Sequence, residues 1–371
     1  MMSKRRIRVL VVDDSLVMRQ LISDVLSSAP DMEVVGTAPD GRSGLRLAEE
    51  LQPDVITLDI QMPGMDGLSV LDALVSRRPV AVIMVSSLTQ AGAAITLDAL
   101  ERGAVDYVTK PSSASAAGKS FGIELVRKVR FAAACDVARI IRLRRQRLQA
   151  TAIVPSAAKL PAAKDDSDCP QLRDACVAIG ISTGGPPALT ALFRDLKPPM
   201  PPIFVVQHMP PQFTKPFAWR LNSVSALTVK EAESGEVVRP NHAYVAPGGY
   251  HMAVSGRPPA VRIRVCDGEP VSGHKPSVDV MMNSVAEVYR KRVLGVIMTG
   301  MGRDGANGCR AIRRAGGYVL GQDEATSDVY GMNKVAFVEG NVDRQFSLPD
   351  GARLIMQYVE EHFLARTAGV R

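Results

Sequence analysis

Short runs of apolar residues alternate with stretches whose apolar positions recur every three or four residues, from residue 7 to about residue 148. The runs are Ile7 to Val12, Glu33 to Thr37, Asp54 to Leu58, Val80 to Val85 and Ala104 to Val108. The helical patterns between them are Leu16 to Ser27, Arg42 to Leu51, Leu68 to Ser76 and Ala93 to Arg102. Strands separated by helices pair in parallel, and parallel strands are covered on both faces, so this spacing predicts a (βα)5 unit. A small-residue loop, Ser112 to Gly118, then leads into a helical pattern with Leu125, Val129, Ala133, Val137, Ile140 and Ile141 on one face. That pattern predicts one long helix running on to Arg147. Ala150 to Pro170 is rich in Ala, Pro, Ser and charge and reads as a linker.

Alternation resumes at about Gln171. Ala175 to Ile181, Ile203 to Val206 and Val293 to Met298 are wholly apolar, as buried parallel strands are. The segment between Arg239 and Val265 differs, because His242 to Val245, His251 to Val254 and Val261 to Val265 are separated by Pro-Gly-Gly and Gly-Arg-Pro-Pro. These three predict hairpins appended to the main sheet. The expected organisation is α/β throughout: a first domain over 1–125, a basic helix extension and linker over 126–170, and over 171–371 a doubly wound, mostly parallel sheet domain with the hairpin region.

Composition narrows the class. A chain of 371 residues is long enough for two ordinary domains. No apolar run approaches a bilayer span, and Lys4-Arg5-Arg6 leads into a short strand broken by Asp13-Asp14, unlike a signal peptide. The five cysteines are odd in number and contain no Cys-x-x-Cys pair, as suits reduced thiols. A cytoplasmic protein with no membrane insertion is expected. The net charge of +7 is local: between Lys119 and Arg147 nine Lys or Arg face two acids, a surplus equal to the whole. That segment reads either as a solvated helix face or as a surface for an acidic partner; a nucleic-acid partner is not expected, because the rest of the chain is balanced.

Chemistry gathers at the predicted strand ends. Asp13 and Asp14 close the first strand, Asp59 the third and Ser86 the fourth, and Lys110 follows the fifth. Carboxylates converging on one sheet edge repel unless a hard cation lies among them, and Mg²⁺ suits an all-oxygen site open to phosphate. A lysine and a hydroxyl there can hold phosphoryl oxygens while a carboxylate attacks phosphorus. Taken singly, Asp14 also reads as part of a capping turn with Ser15, and Asp59 as a turn acid before Pro63-Gly64. The set Val-Val-Asp13-Asp14-Ser15, Leu58-Asp59-Ile-Gln-Met-Pro63-Gly-Met-Asp66-Gly67, Val85-Ser86-Ser87 and Tyr107-Val-Thr-Lys110-Pro111 resembles the receiver domain of bacterial response regulators. The resemblance implies a flavodoxin-like fold. It also makes Asp59 the phosphoacceptor, puts Asp13 and Asp14 with it in a Mg²⁺ site, gives Ser86 and Lys110 phosphoryl contacts, and makes Tyr107 the switch aromatic. A cis Lys110–Pro111 bond is implied as well.

Ile179-Gly180-Ile181-Ser182-Thr183-Gly184-Gly185-Pro186-Pro187 sets one hydroxyl between a buried strand and a glycine turn that opens a helix. On its own such a turn presents a nucleophile, cradles a phosphate or merely turns; without a following lysine it is not a Walker loop. Two other strand ends carry complementary groups, His208 after Gln207 and Asp304 within Thr299-Gly-Met301-Gly302-Arg303-Asp304-Gly. Together they offer a nucleophile, a base and an orienting acid, whereas separately His208 reads as a satisfied strand-end histidine and Asp304 as a helix cap. The other histidines, at 242, 251, 274 and 362, are less suitably placed.

These motifs, with Gln207-His208-Met209-Pro210, Tyr244-Val-Ala-Pro247-Gly-Gly and Pro276-Ser-Val-Asp279-Val, resemble the catalytic domain of the chemotaxis protein-glutamate methylesterases. The resemblance implies a Ser182, His208 and Asp304 triad, with backbone amides at Thr183 and Met301 facing the oxyanion. It implies hydrolysis of γ-glutamyl methyl esters on methyl-accepting chemotaxis receptors, deamidation of receptor glutamines, a chemotaxis histidine kinase as phosphodonor, and no cofactor for ester hydrolysis. The receiver would restrain hydrolysis until Asp59 is phosphorylated. Ile181, Arg303 and Tyr330-Gly-Met332-Asn333 depart from the family pattern without removing a catalytic group. Two alternatives stand beside this reading: the same chemistry in a non-flagellar chemosensory pathway, and a catalytically silent receiver-linked binding module.

Overall fold

The structure is a computed structural model that describes residues 5–87, 89–111, 118–152 and 170–365. The chain divides into two compact units, Met1–Val154 and Pro155–Arg371.

In the first unit, strands β1 (Ile7–Val12), β2 (Met32–Ala38), β3 (Val55–Asp59), β4 (Ala81–Ser86) and β5 (Asp106–Thr109) form one sheet in the order β2-β1-β3-β4-β5. Every pairing is parallel. This is the flavodoxin-like order, in which the carboxyl ends of the strands on either side of the switch point form a crevice. The intervening helices α1 (Leu16–Ser27), α2 (Gly41–Leu51), α3 (Gly67–Arg77) and α4 (Gln90–Arg102) begin at Ser15, Asp40, Asp66 and Thr89. Each of those side chains accepts an amide of the first turn, satisfying a donor that has no partner within the helix.

The long helix predicted after the fifth strand is two helices, α5 (Gly118–Ala134) and α6 (Val137–Ala152). Asp136 breaks it: its Oδ1 accepts Arg139 N at 2.9 Å, so a new helix starts where the apolar stripe continues unbroken. The expected boundary at residue 125 falls inside α5, whose Leu125 and Val129 are fully buried in the first unit. Arg144 of α6 is also buried and donates to the carbonyls of Leu100 and Ala104 at the end of α4. The Ser112–Gly118 loop and the Ala150–Pro170 linker lie largely outside the described residues. The Lys110–Pro111 bond is not cis; the cis peptides among the described residues are Pro198–Pro199, Pro258–Pro259 and Lys275–Pro276.

The second unit runs β6 (Cys176–Ile181), α7 (Gly185–Asp195), β7 (Ile203–Gln207), α8 (Pro211–Val224), β8 (Thr228–Glu231), β9 (His242–Val245), β10 (His251–Ser255) and β11 (Arg262–Cys266). It continues through α9 (Val278–Tyr289), β12 (Val293–Ile297), α10 (Ala306–Arg314), β13 (Tyr318–Gln322), α11 (Met332–Val338), β14 (Arg344–Phe346) and α12 (Leu348–Val359). Seven strands form a sheet in the order β14-β13-β12-β6-β7-β9-β8, parallel throughout. Among the described residues only β10 and β11 form an antiparallel hairpin, so His242–Val245 belongs to the main sheet and not to the appended region. The chain leaves β6 for β7 on one side and later returns to β12 on the other. The carboxyl end of β6 is therefore the topological switch point, where open α/β sheets open a crevice. Beneath it, Phe204, Tyr244, Met281, Met282, Val285 and Ile297 are buried in one apolar layer.

Candidate active site

Ser182 follows β6 at that switch point and is 8% exposed. Its amide donates to Thr299 O at 3.0 Å, tying the end of β6 to the chain leaving β12. Gly185 N donates to Ser182 O at 2.8 Å, and Gly184 has φ 79° and ψ 0°. These are the marks of a type II turn, whose third residue must adopt positive φ, which is why glycine stands there. Pro186 then enters the first turn of α7.

His208 follows β7, the strand beside β6, with its amide donating to Ile181 O at 3.3 Å. Its Nδ1 lies 3.1 Å from Ser182 Oγ and its Nε2 2.8 Å from Asp304 Oδ2. Asp304, 1% exposed, precedes Gly305, which caps α10. Its carboxylate lies at the start of a different helix, α9, accepting Val278 N at 2.7 Å, Asp279 N at 3.0 Å and Ser277 Oγ at 2.8 Å. Burial pushes the Asp304 carboxyl up, but His208 and the helix amides outweigh it and hold the group below the ordinary aspartate range. Asp279 returns the contact: its Oδ1 accepts Gly305 N at 2.9 Å and Gly308 N at 2.8 Å at the start of α10. Burial first, and the Asp304 charge further, push the Asp279 carboxyl up.

Thr183 follows the serine, and Met301 lies in the loop after β12. Thr183 O accepts Thr299 Oγ1 at 3.0 Å. Gly300, the residue before Met301, lies so close that a Cβ on it would stand 2.8 Å from Ser182 Cβ. The departure at Arg303 points away from the triad, pairing with Glu339 at 2.9 Å.

Two groups near the triad were not assigned a role from sequence. His274, one of the less suitably placed histidines, stacks on His208 with ring centroids 3.7 Å apart and planes 6° off parallel. Gln207 is buried and its Nε2 donates to Ser182 O at 3.0 Å and to His208 O at 3.1 Å. The only sequence signal for Gln207 is a polar residue ending an otherwise apolar strand; for His274 there is none, because its partner is 66 positions away by number (274 − 208).

In the first unit, carboxylate oxygens of Asp13, Asp14 and Asp59 lie within 4.8 Å of one another, Asp13 and Asp59 buried and Asp14 exposed. Lys110 Nζ stands 2.9 Å from Asp13 Oδ2 and 2.8 Å from Asp59 Oδ2. Burial pushes the Asp59 carboxyl up, with Asp13 adding to it, although Lys110 opposes both. Burial works against the charge on Lys110, yet Asp59 and Asp13 hold its ammonium above the ordinary lysine value. A Cβ at Gly67 would overlap Asp59 O, so only glycine lets α3 start against this site. Ser86 is buried at the end of β4, its Oγ accepting Thr96 Oγ1 at 2.8 Å. Tyr107 is 5% exposed, with Lys128 Nζ 4.7 Å from its ring centroid.

Fold and site together define the class as a response-regulator receiver joined to a hydrolase domain built on a doubly wound parallel sheet. Residues 9–119 match the response regulator receiver domain family and residues 177–355 the CheB methylesterase family. The protein-glutamate methylesterase/protein-glutamine glutaminase of Archaeoglobus fulgidus is 46% identical over 95% of this chain and 98% of its own length. Its namesake numbered 1 in Caulobacter vibrioides is 46% identical over 95% and 97%. The crystal structure of the Thermotoga maritima CheB methylesterase catalytic domain is 39% identical with a TM-score of 0.49, covering 50% of this chain and 98% of that one. The chain belongs to the receiver-bearing protein-glutamate methylesterase/protein-glutamine glutaminase family. No helix among the described residues is long and apolar enough to cross a membrane.

Proposed function

We propose that this chain is a cytoplasmic, phosphorylation-activated serine hydrolase that removes methyl groups from glutamate esters of chemotaxis receptors and deamidates receptor glutamines. The observation that carries the reading is the continuous hydrogen-bonded line from Ser182 through His208 to Asp304. In it, Ser182 Oγ attacks the ester carbonyl while His208 takes its proton. The ionised Asp304 holds the imidazole in one tautomer and stabilises the imidazolium. Amides of Thr183 and Met301 face the developing oxyanion, a contribution that elsewhere is worth roughly 10²- to 10³-fold per donor. His208 then gives that proton to the leaving group, which departs as methanol from an ester or ammonia from a glutamine, and takes a proton from the water that cleaves the Ser182 acyl ester to release the glutamate.

Regulation is assigned to the first unit, with a chemotaxis histidine kinase as the phosphodonor. Asp59 accepts the phosphoryl group, Lys110 and Ser86 bind its oxygens, and Tyr107 follows Ser86. Asp13, Asp14 and Asp59 supply an oxygen-only, partly buried donor set that fits Mg²⁺, with room left for phosphate. The ion, when bound, offsets their mutual repulsion and the charge of the phosphoryl oxygens. Ester hydrolysis is assigned to the triad and its amides.

Methanol release from methylated receptors, with and without a phosphodonor, tests both halves. Wild type is expected to release methanol faster with the donor, Ser182→Ala to release none, and Asp59→Ala to keep the basal rate but lose the stimulation. Methanol release by Ser182→Ala would overturn the assignment of the nucleophile, and a stimulated Asp59→Ala the switch.

A further inference from the structure

Gln207 belongs to no part of the mechanism above, yet it touches both of its moving parts. Its Nε2 spends its two protons on the carbonyls of the nucleophile and the base, Ser182 O at 3.0 Å and His208 O at 3.1 Å. The side chain is 3% exposed, so neither bond competes with water. Ser182 O also receives Gly185 N at 2.8 Å, which leaves the Ser182–Thr183 peptide with its carbonyl held from two directions. A trans peptide is planar, with its N–H antiparallel to its C=O. Fixing Ser182 O therefore fixes the direction of the Thr183 N–H, the amide assigned above to the oxyanion.

The chain makes room for this arrangement. A Cβ at Gly185 would overlap Gln207 Oε1, so the second glycine of the turn is the space the amide occupies. Gln207 Oε1 has no hydrogen-bond partner among the described residues. A buried acceptor left unsatisfied is a cost that an apolar residue would avoid, so what the position retains is the NH₂ group.

We propose that Gln207 is a positioning residue for the hydrolysis: it locks the Ser182–Thr183 peptide so that the Thr183 amide meets the oxyanion, and ties that peptide to the segment carrying His208. This rests on the triad and oxyanion assignments of the preceding section. It separates Gln207 from a packing residue by where its loss is felt. A misdirected oxyanion donor weakens binding of the transition state and leaves the ester ground state alone, so kcat falls and KM does not.

The full-length enzyme, with phosphodonor, is assayed for methanol release from methylated receptor and for inhibition by a peptidyl trifluoromethyl ketone, which forms a tetrahedral oxyanion adduct with an active-site serine. Gln207→Leu keeps the bulk and loses the donors. It is expected to lower kcat by roughly 10- to 100-fold, below the loss from deleting a donor outright, with KM within about two-fold and ketone affinity weakened in proportion to kcat. Gly185→Ala displaces Gln207 without deleting any donor; it is expected to give the same signature and serves as the deciding variant if Gln207→Leu does not fold. A kcat within two-fold of wild type in a folded variant overturns the proposal, and so does a kcat loss with unchanged ketone affinity. Ser182→Ala in the same assay keeps the readings apart, because methanol release by that variant sinks the triad assignment, whereas a silent Ser182→Ala beside unaffected Gln207 and Gly185 variants sinks this proposal alone.

Discussion

Asp59 and Asp304 are both buried at strand ends, and burial leads them to opposite titration. At Asp304 the desolvation cost is outweighed by His208 and two helix amides, so the carboxylate stays ionised. At Asp59 desolvation prevails and the Asp13 charge adds to it, against the single opposing cation, Lys110. The raised folded value fixes the sign of a stability effect. Below the ordinary aspartate value of 3.8 both folded and unfolded states are protonated and Asp59 costs nothing. As pH climbs from 3.8 towards the raised value, the unfolded chain gives up this proton while the buried native carboxyl keeps it, so stability is lost until the native state ionises too, and the cost is constant above that. Asp59→Asn is therefore expected to stabilise the first unit near neutral pH by an amount on the order of 1 kcal/mol, allowing for Lys110 and residual exposure. Denaturant unfolding in chelator at pH 7.5 and pH 5 checks this. The gain should shrink on acidification, and a gain that grew would contradict the raised value.

At the scale of elements, α9 and α10 exchange carboxylates. Asp304, just before α10, holds the first amides of α9, and Asp279, in the first turn of α9, holds the first amides of α10. Each helix start offers free N–H groups and a positive dipole end, so each acid lowers the energy of the other's helix. Asp279→Ala is expected to cost about 2–3 kcal/mol through two orphaned amides and to lower kcat, because the loop that aims Asp304 is released. Asp279→Asn keeps an acceptor and should lose less of both. Urea unfolding paired with methanol-release kinetics decides, and a destabilised Asp279→Ala with wild-type kcat would show that the exchange does not govern Asp304. Such crossings are where the sequence is hardest to read. The strands of the first unit were legible within about two residues because apolar runs end in acids or hydroxyls. Ser182, His208 and Asp304 were legible because each closes or follows a strand. The strands not foreseen are β8, β13 and β14, which are short, interrupted by polar residues or near the sheet edges. The break at Asp136 was hidden because the apolar stripe crosses it intact. Gln207 and Asp279 stood in recognisable motifs, but their partners are backbone groups about 25 residues away, which no local pattern reveals.

Across the whole molecule, the positive surplus of residues 119–147 is partly structural. Arg130 pairs with Asp31, Lys128 with Asp106 and Glu124, Arg144 with two carbonyls and Arg145 with Val75 O, which commits at least four of the nine cations within the first unit. The surplus is thus a weaker argument for an acidic partner than its size suggests. The proposed regulation has Asp59, in one compact unit, act on Ser182, in the other. Control of this kind is a coupling free energy, and for equilibrium binding it must be reciprocal. If a phosphoryl mimic at Asp59 favours the state in which Ser182 is competent, a ligand held reversibly at Ser182 must favour the state that binds the mimic, by the same factor. Titrating the receiver with beryllofluoride in Mg²⁺, with and without a saturating trifluoromethyl ketone, reads that factor directly. Beryllofluoride affinity is expected to rise by between about 5- and 150-fold, the usual range of allosteric couplings. The rise should match the gain in ketone affinity produced by beryllofluoride and vanish in Ser182→Ala. Matching factors would establish that the two sites share one equilibrium. Stimulated turnover with no change in either affinity would mean that phosphorylation acts on a rate and leaves the population of competent Ser182 unchanged.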